Sequence, residues 1–162
     1  MTTTLNIAAI GDLHITRKSV GVWQPIFAQA NERADVLLLA GDLTDYGLPE
    51  EAHILVSELS RTVKIPTVAV LGNHDFESGK QAEVKAILAE AGVVVLDGDT
   101  TEVNDVGFCG VKGFCGGFGR GSLGGWGEHA IKLFVNEAIQ EALKLESALA
   151  KLRTPRRIAM LH

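Results

Sequence analysis

The chain has 162 residues, of which 46% are hydrophobic and 22% charged, and its formal net charge is −5 at pH 7. This length suits one domain over residues 1–162, and the composition is ordinary for a globular protein. The negative charge argues against nucleic acids and anionic membranes as partners, and no apolar run approaches the about 20 residues that cross a bilayer, so we expect a cytoplasmic protein.

The first half of the chain alternates apolar runs with segments of helical spacing. Continuous apolar runs indicate strands that are buried on both faces. A helix after 78 is expected to have Ser78 as its N-cap and to stop at Gly92. This order predicts a parallel sheet covered by helices. The predicted elements are strands at 5–10, 36–40 and 67–71, with helices at 22–30, 49–59 and 79–91.

The second half predicts a hairpin, a glycine-rich segment and one long helix. A strand at 93–96 is followed by two strands, 100–103 and 108–111, that flank the turn sequence Asn-Asp-Val-Gly. Between residues 107 and 127 nearly every second residue is glycine, which excludes a regular helix or strand. Because aromatic residues are interspersed, we expect an ordered loop whose aromatics pack; a mobile linker is the alternative. An amphipathic helix at 131–152 and a strand at 157–161 follow.

The two cysteines, Cys109 and Cys115, do not have the spacing of a zinc-binding pair. In a reducing cytosol we expect two free thiols, and a disulfide is the alternative.

Three predicted strands each end in a glycine followed by polar residues. In open α/β sheets, ligands bind outside the carboxyl ends of the strands, so these side chains should converge on one edge. Gly-Asp after a strand is by itself a common turn. Three such groups in succession make coincidence a poor explanation. The groups are Gly11-Asp12-Leu13-His14, Gly41-Asp42-Leu43-Thr44-Asp45 and Gly72-Asn73-His74-Asp75.

Together these groups resemble the signature blocks of the calcineurin-like metallophosphoesterases. Their spacing of about 30 residues is what one strand–helix unit requires. Leu161-His162 falls where that family has a strand ending in a further metal-ligating histidine. The resemblance implies a layered α/β/β/α sandwich with its ligands at the C-terminal ends of strands. It also implies a metal-dependent phosphoester hydrolase, either a phosphatase or a phosphodiesterase.

The resemblance further implies a dinuclear metal centre. Asp12 and His14 would ligate the first metal, and Asn73 and His162 the second. Asp42 would bridge both metals. This mixed set of nitrogen and oxygen ligands suits Mn, Fe, Zn, Co or Ni, and a hydroxide bridging the two ions would attack phosphorus in line.

Three further residues receive roles from the same resemblance. His74 would protonate the leaving oxygen, and Asp75 would fix the orientation of its ring. Asp45 would either hydrogen-bond near the metal ligands or cap the following turn. The expected substrate is a small phosphoester.

One block of the family signature is absent. The family completes its site with Gly-His-x-His on a later strand, and no residue follows His162. His53 and His129 do not substitute, because both are predicted on helices away from the strand ends. We therefore expect a chain that is incomplete at its C-terminus. A non-catalytic metal- or phosphate-binding fragment is the alternative function, and a nuclease is disfavoured because the only basic cluster lies at 153–157.

The glycine-rich segment also suggests a role in substrate choice. Loops at the rim of a site commonly carry specificity, so Lys112, Arg120 and Trp126 are candidates for contact with the substrate. Packing of the aromatic residues is the alternative.

Overall fold

The protein is described over residues 4–162 by a computed structural model. Its α-helices and strands alternate in the first half of the chain, and short 3₁₀ turns lie at His74–Phe76 and Gly119–Gly121. The elements are β1 Ile7–Ile10, α1 Gln24–Arg33, β2 Val36–Ala40, α2 Pro49–Thr62, β3 Thr67–Val70, α3 Gln81–Glu90, β4 Val94–Val95, β5 Thr100–Val103, β6 Val106–Gly110, α4 His129–Lys151 and β7 Arg156–Met160.

The first sheet is parallel throughout, with the strand order β1-β2-β3-β4. Because side chains alternate across a strand, β2 serves two layers. Leu37 and Leu39 pack with the helices α1–α3, whereas Val36 and Leu38 face the second sheet. A strand buried on both faces must be apolar at every position, which explains the continuous run that the sequence shows.

The second sheet has the order β5-β6-β7, with β6 antiparallel to β5 and parallel to β7. The predicted hairpin is present, but its turn is only Asn104-Asp105, with φ of 47° and 63°. Both values match a two-residue turn with left-handed backbone. β6 therefore begins at Val106, and the first part of the glycine-rich segment, up to Gly110, is strand rather than loop.

The two sheets pack face to face, and helices cover their outer faces. Val68, Val70 and Leu96 of the first side meet Phe108 and Met160 of the second. On the far side, Ala148 of α4 and Leu152, the residue after this helix, pack against Cys109 of β6. The result is an α/β/β/α sandwich, and the predicted fold class is confirmed.

Two predicted helix starts are wrong in detail. α1 begins at Gln24, because Pro25 favours the first turn of a helix. Val22 therefore lies before the helix, and it is 59% exposed. α3 begins at Gln81 after Lys80, and Ser78 is not its N-cap. The Ser78 hydroxyl instead donates a hydrogen bond to the carbonyl of Gly47 at 2.6 Å. The stop at Gly92 is confirmed by its φ of 86°.

The remainder of the glycine-rich segment is a loop that packs only in part. Phe114 meets Phe134 of α4 edge to face, with ring centroids 5.1 Å apart. In contrast, Phe118 and Trp126 are 85% and 80% exposed, so the expectation that the aromatics pack is wrong for these two. Cys109 is buried, Cys115 is exposed, and both are free thiols.

Over residues 4–162, none of the helices has the length and apolar character that crossing a membrane requires.

Candidate metal centre

The polar blocks after β1 and β2 continue side by side beyond the sheet. The amide of Asp12 donates to the carbonyl of Gly41 at 3.1 Å, and the amide of His14 donates to the carbonyl of Asp42 at 2.9 Å. The amide of Asp45 in turn donates to the carbonyl of Ile15 at 3.1 Å. Because backbone hydrogen bonds join the two loops, the side chains that they carry are fixed relative to each other.

Three residues of these loops have a backbone conformation that is uncommon outside glycine. Asp12, His14 and Asp42 have φ of 54°, 44° and 46°. Such left-handed residues are strained, and they persist where the surrounding structure determines them, often at functional sites. The hydrogen bonds between the two loops provide that constraint here.

Asp42 lies at the centre of the site and is buried, with 4% of the residue exposed. Its Oδ1 accepts a hydrogen bond from the amide of His74 at 2.9 Å. Its Oδ2 lies 3.2 Å from Nε2 of His162 and 3.8 Å from Nε2 of His14. Gly72 makes this placement possible, since a Cβ there would collide with the backbone nitrogen and Oδ1 of Asp42.

His162 reaches the site from the end of β7 in the second sheet. Its Nδ1 lies 2.9 Å from the carbonyl of Ala40. A carbonyl only accepts, so Nδ1 carries a proton, and in the neutral ring Nε2 keeps the lone pair that a metal requires. Gly41 leaves room for the ring, because a Cβ at this position would overlap it.

Asp45 fixes the other two histidine rings with two different groups. Its carboxylate Oδ1 lies 3.2 Å from Nδ1 of His14, and its carbonyl lies 2.7 Å from Nδ1 of His74. Both oxygens require a proton on Nδ1, so Nε2 is again unprotonated in the neutral rings. Such partners commonly set the tautomer of metal-ligating histidines. The two rings meet edge to face with centroids 4.5 Å apart.

The potential ligand atoms form two groups that share Asp42. One group is His14, Asp42 and His74, and the other is Asp12, Asp42 and His162; within each group the atoms lie within 4.8 Å of one another. Oδ1 of Asp12 also lies 3.9 Å from Nε2 of His14, so the expected sharing of one metal by Asp12 and His14 stays a prediction. The expected role of His74 outside the ligand set stays a prediction as well, although its ring lies in the first group. Membership of both groups is the placement that a bridging carboxylate needs.

Asp75 is placed differently from the role expected for it. The carboxylate is fully buried and accepts hydrogen bonds from the amides of Leu43, Thr44 and Gly72, and from the Thr44 hydroxyl. It holds the second and third loops together. The contact to Nδ1 of His74 comes from the carbonyl of Asp45 at 2.7 Å, and the expected role of Asp75 in orienting this ring stays a prediction. The sequence gives no sign of these partners, because Leu43 and Thr44 are far from Asp75 in the chain, whereas His74 is its direct neighbour.

Asn73 stands at the start of the 3₁₀ turn, where its exposed side chain makes no hydrogen bond to the described part of the chain. An exposed amide next to the two ligand groups is available to a metal, and its role as a ligand stays a prediction. The other histidines are remote: His53 lies on α2 and His129 begins α4.

The environment of His74 favours its charged form. The hydrogen bond to the Asp45 carbonyl raises the pKa of His74 above the usual 6.5, and the negative charges of Asp42, Asp45 and Glu77 add to this effect. Burial opposes it, but only in part.

Carboxylates and imidazoles gathered at the strand ends of this layered sandwich form a donor set that can bind divalent metal ions. The family model of the calcineurin-like phosphoesterases matches residues 5–147. The chain therefore belongs to the calcineurin-like phosphoesterase family, whose members are generally metal-dependent phosphoester hydrolases.

A solved structure shows the same fold. The chain is similar to the protein TT1561 of Thermus thermophilus, with 17% identity and a TM-score of 0.62. The match covers 98% of this chain and 68% of that one, and at this identity the likeness concerns the fold alone. No curated protein matches the chain.

Proposed function

We propose that the protein hydrolyses small phosphoesters with two divalent metal ions held on either side of Asp42. The observation that carries the proposal is the pair of ligand groups that share this buried carboxylate. The donors fit such ions: carboxylate oxygens and imidazole Nε2 atoms suit Mn, Fe, Zn, Co or Ni. When bound, the ions would supply an activated water and positive charge for the phosphoryl oxygens.

The chain's own residues prepare the site for this chemistry. The carbonyl of Ala40 and the two oxygens of Asp45 hold the Nδ1 protons of His162, His14 and His74. In their neutral forms the rings of His162 and His14 therefore present an Nε2 lone pair without a rearrangement. The amide of His74 holds Oδ1 of Asp42, which fixes the carboxylate plane.

His74 is the best candidate for the group that protonates the leaving oxygen. Its ring is partly exposed, its Nδ1 is held by Asp45, and its raised pKa increases the protonated fraction near neutral pH. A proton on Nε2 can then pass to the leaving group. The competing role, suggested by its position in a group with His14 and Asp42, is that of a metal ligand.

The first test is hydrolysis of bis-p-nitrophenyl phosphate and of p-nitrophenyl phosphate with added Mn²⁺. These two substrates separate diesterase from monoesterase activity. Asp42→Asn is the matched control, because asparagine keeps an oxygen for the His74 amide and tolerates the positive φ. We expect hydrolysis by the natural chain, and in the variant a loss of Mn²⁺ affinity of about 100-fold or more together with loss of turnover.

Two results would contradict the proposal. Turnover that is unchanged in Asp42→Asn would show that the measured activity does not arise at this site. Binding of Mn²⁺ that depends on Asp42 but gives no hydrolysis would instead support the non-catalytic metal-binding alternative.

A further inference from the structure

A groove of about 450 Å³ opens beside His162, between the glycine-rich loop and α4. Its walls are apolar on both sides. Phe114, Phe118 and Leu123 contribute from the loop, and Val135 and Ile139 contribute from α4. Leu161 and His162 also line the groove, and His162 belongs to the candidate metal centre as well.

The lining differs in charge from the rest of the chain. The protein has 15 Lys and Arg and 20 Asp and Glu, yet none of these residues lines the groove. Several lining residues are large and half exposed or more: Phe118 is 85%, Leu123 53% and Ile139 50% exposed. Exposed apolar residues that cluster around one concave surface mark a binding site more often than singly scattered ones do.

The base of the groove is fixed before any ligand binds. The amide of Gly113 donates to the buried carboxylate of Glu141 on α4 at 2.8 Å, and Phe114 packs on Phe134. The amide of His162 donates to the carbonyl of Lys112 at 3.0 Å. These contacts join the start of the loop, the helix and the end of β7 at the base of the groove.

His162 connects the groove to the candidate metal centre. One side of this residue lines the groove, while its Nε2 lies 3.2 Å from Oδ2 of Asp42. An ester whose phosphoryl group is at Asp42 can therefore extend its organic group past His162 into the groove.

We propose that the groove binds the uncharged, apolar organic group of the substrate, an aryl or alkyl ester rather than a sugar or a second phosphate. This inference rests on the proposed function, and it names the substrate class of the same site. A charged group would lose its hydration in the groove without gaining an oppositely charged Lys, Arg, Asp or Glu side chain there.

The test uses two phosphonates that differ only in the apolar group and cannot be hydrolysed at the carbon–phosphorus bond. Benzylphosphonate and methylphosphonate are added to the full chain with Mn²⁺, and the rate of alkylation of Cys115 by iodoacetamide is followed. Cys115 is exposed and lines the groove. Cys109 is the internal control, because burial shields its thiol and raises its pKa.

We expect benzylphosphonate to protect Cys115 and to bind about tenfold more tightly than methylphosphonate, since a buried ring gains transfer free energy. The matched variants are Ile139→Ser and Leu143→Ser. Both residues are 50% exposed on α4, but only Ile139 lines the groove. The preference should shrink to about threefold or less in Ile139→Ser, and it should be unchanged in Leu143→Ser.

Equal affinity for the two phosphonates in a chain that binds Mn²⁺ would overturn the proposal. So would a change of oligomeric state in Ile139→Ser with the phosphonate preference intact, because the groove would then be an interface between copies of the chain. Hydrolysis of methyl p-nitrophenyl phosphate is measured in parallel. If that hydrolysis is absent while benzylphosphonate still binds more tightly than methylphosphonate, the proposed hydrolytic function is wrong but the binding of an apolar group in the groove is supported.

Discussion

The two halves of the molecule contribute to the site in different ways. The first sheet carries Asp12, His14, Asp42 and His74 on loops that are joined by backbone hydrogen bonds and by the buried Asp75. The second sheet contributes His162 and a glycine-rich loop with Phe118 and Trp126 in solvent. One half is therefore built for fixed geometry, and the other presents an apolar surface next to it.

This difference separates reactivity from recognition. Metal ligation needs atoms held to within a fraction of an ångström, and the first half achieves this with constrained loops at the ends of buried strands. Recognition of an organic group needs shape and apolar surface, which a loop at the rim can provide. If the division holds, substitutions in the constrained loops should have the largest effects and substitutions in the exposed loop the smallest.

Replacing Asp75 by alanine should cause a large loss of stability. The buried amides of Leu43, Thr44 and Gly72 would lose their acceptor, which should lower the free energy of unfolding by about 3 kcal/mol or more. Urea unfolding measures this change. The control is Asp99→Ala at an exposed position, which should change the free energy of unfolding by no more than about 0.5 kcal/mol. A large loss of turnover with little loss of stability would favour the catalytic role that the sequence suggested for Asp75.

His74→Gln should lower the turnover number by about 100-fold and leave Mn²⁺ affinity unchanged, as expected for loss of a general acid. The control is His53→Gln on the surface of α2, which should alter neither quantity. Calorimetric Mn²⁺ titration decides between the two roles of this residue. Loss of metal in His74→Gln would make His74 a ligand, in agreement with its grouping with His14 and Asp42.

Asp45→Asn should lower Mn²⁺ affinity by about 10- to 100-fold, the usual range when a partner of a ligating histidine is changed. The substitution alters the carboxylate that holds His14 but leaves the carbonyl that holds His74. Metal affinity should therefore fall more than the turnover at saturating metal. Unchanged affinity would mean that the orientation of His14 does not depend on the Asp45 carboxylate.

The protonation of His74 in the metal-free chain should change the stability of the fold with pH, by less than the substitutions above and in a defined direction. Its pKa is raised in the folded state, so the protonated ring stabilises the fold below the unfolded value of 6.5. This stabilisation is lost as pH rises through the folded-state pKa. Because Asp42 contributes to the shift, Asp42→Asn should lower the pKa of His74 in an NMR titration. An unchanged pKa of His74 in this variant would show that the charge of Asp42 does not contribute to raising it.

Much of this architecture is predictable from the sequence because buried parallel strands leave a clear signal. The run Val36–Ala40 is apolar at every position, and it is the strand that faces both layers. The glycines before the polar blocks are also informative, since Gly41 and Gly72 allow His162 and Asp42 to approach closely. Apolar runs and glycines are local features, which explains why they can be recognised without the fold.

Features that depend on contacts distant in the chain were not predictable. Asp75 lies next to His74 in sequence, but its partners Leu43 and Thr44 are on another loop. The grouping of Asp12 with His162 depends on how the second sheet packs on the first. Ser78 looks like a helix cap because serine commonly is one, yet a contact with Gly47 determines its place.

The glycine-rich loop should contribute little to the stability of the fold, in contrast to the core of the first half. Trp126 is among the largest side chains of the glycine-rich loop, but it is 80% exposed, so Trp126→Ala should change the free energy of unfolding by no more than about 0.5 kcal/mol. The matched change in the first half is Phe27→Ala, which empties a fully buried position and should destabilise the fold by about 3–5 kcal/mol. A loss above about 1 kcal/mol for Trp126→Ala would show that the loop is packed like the first half. The two halves would then not differ in packing at this position, and the division between a fixed site and a free rim would not hold for Trp126.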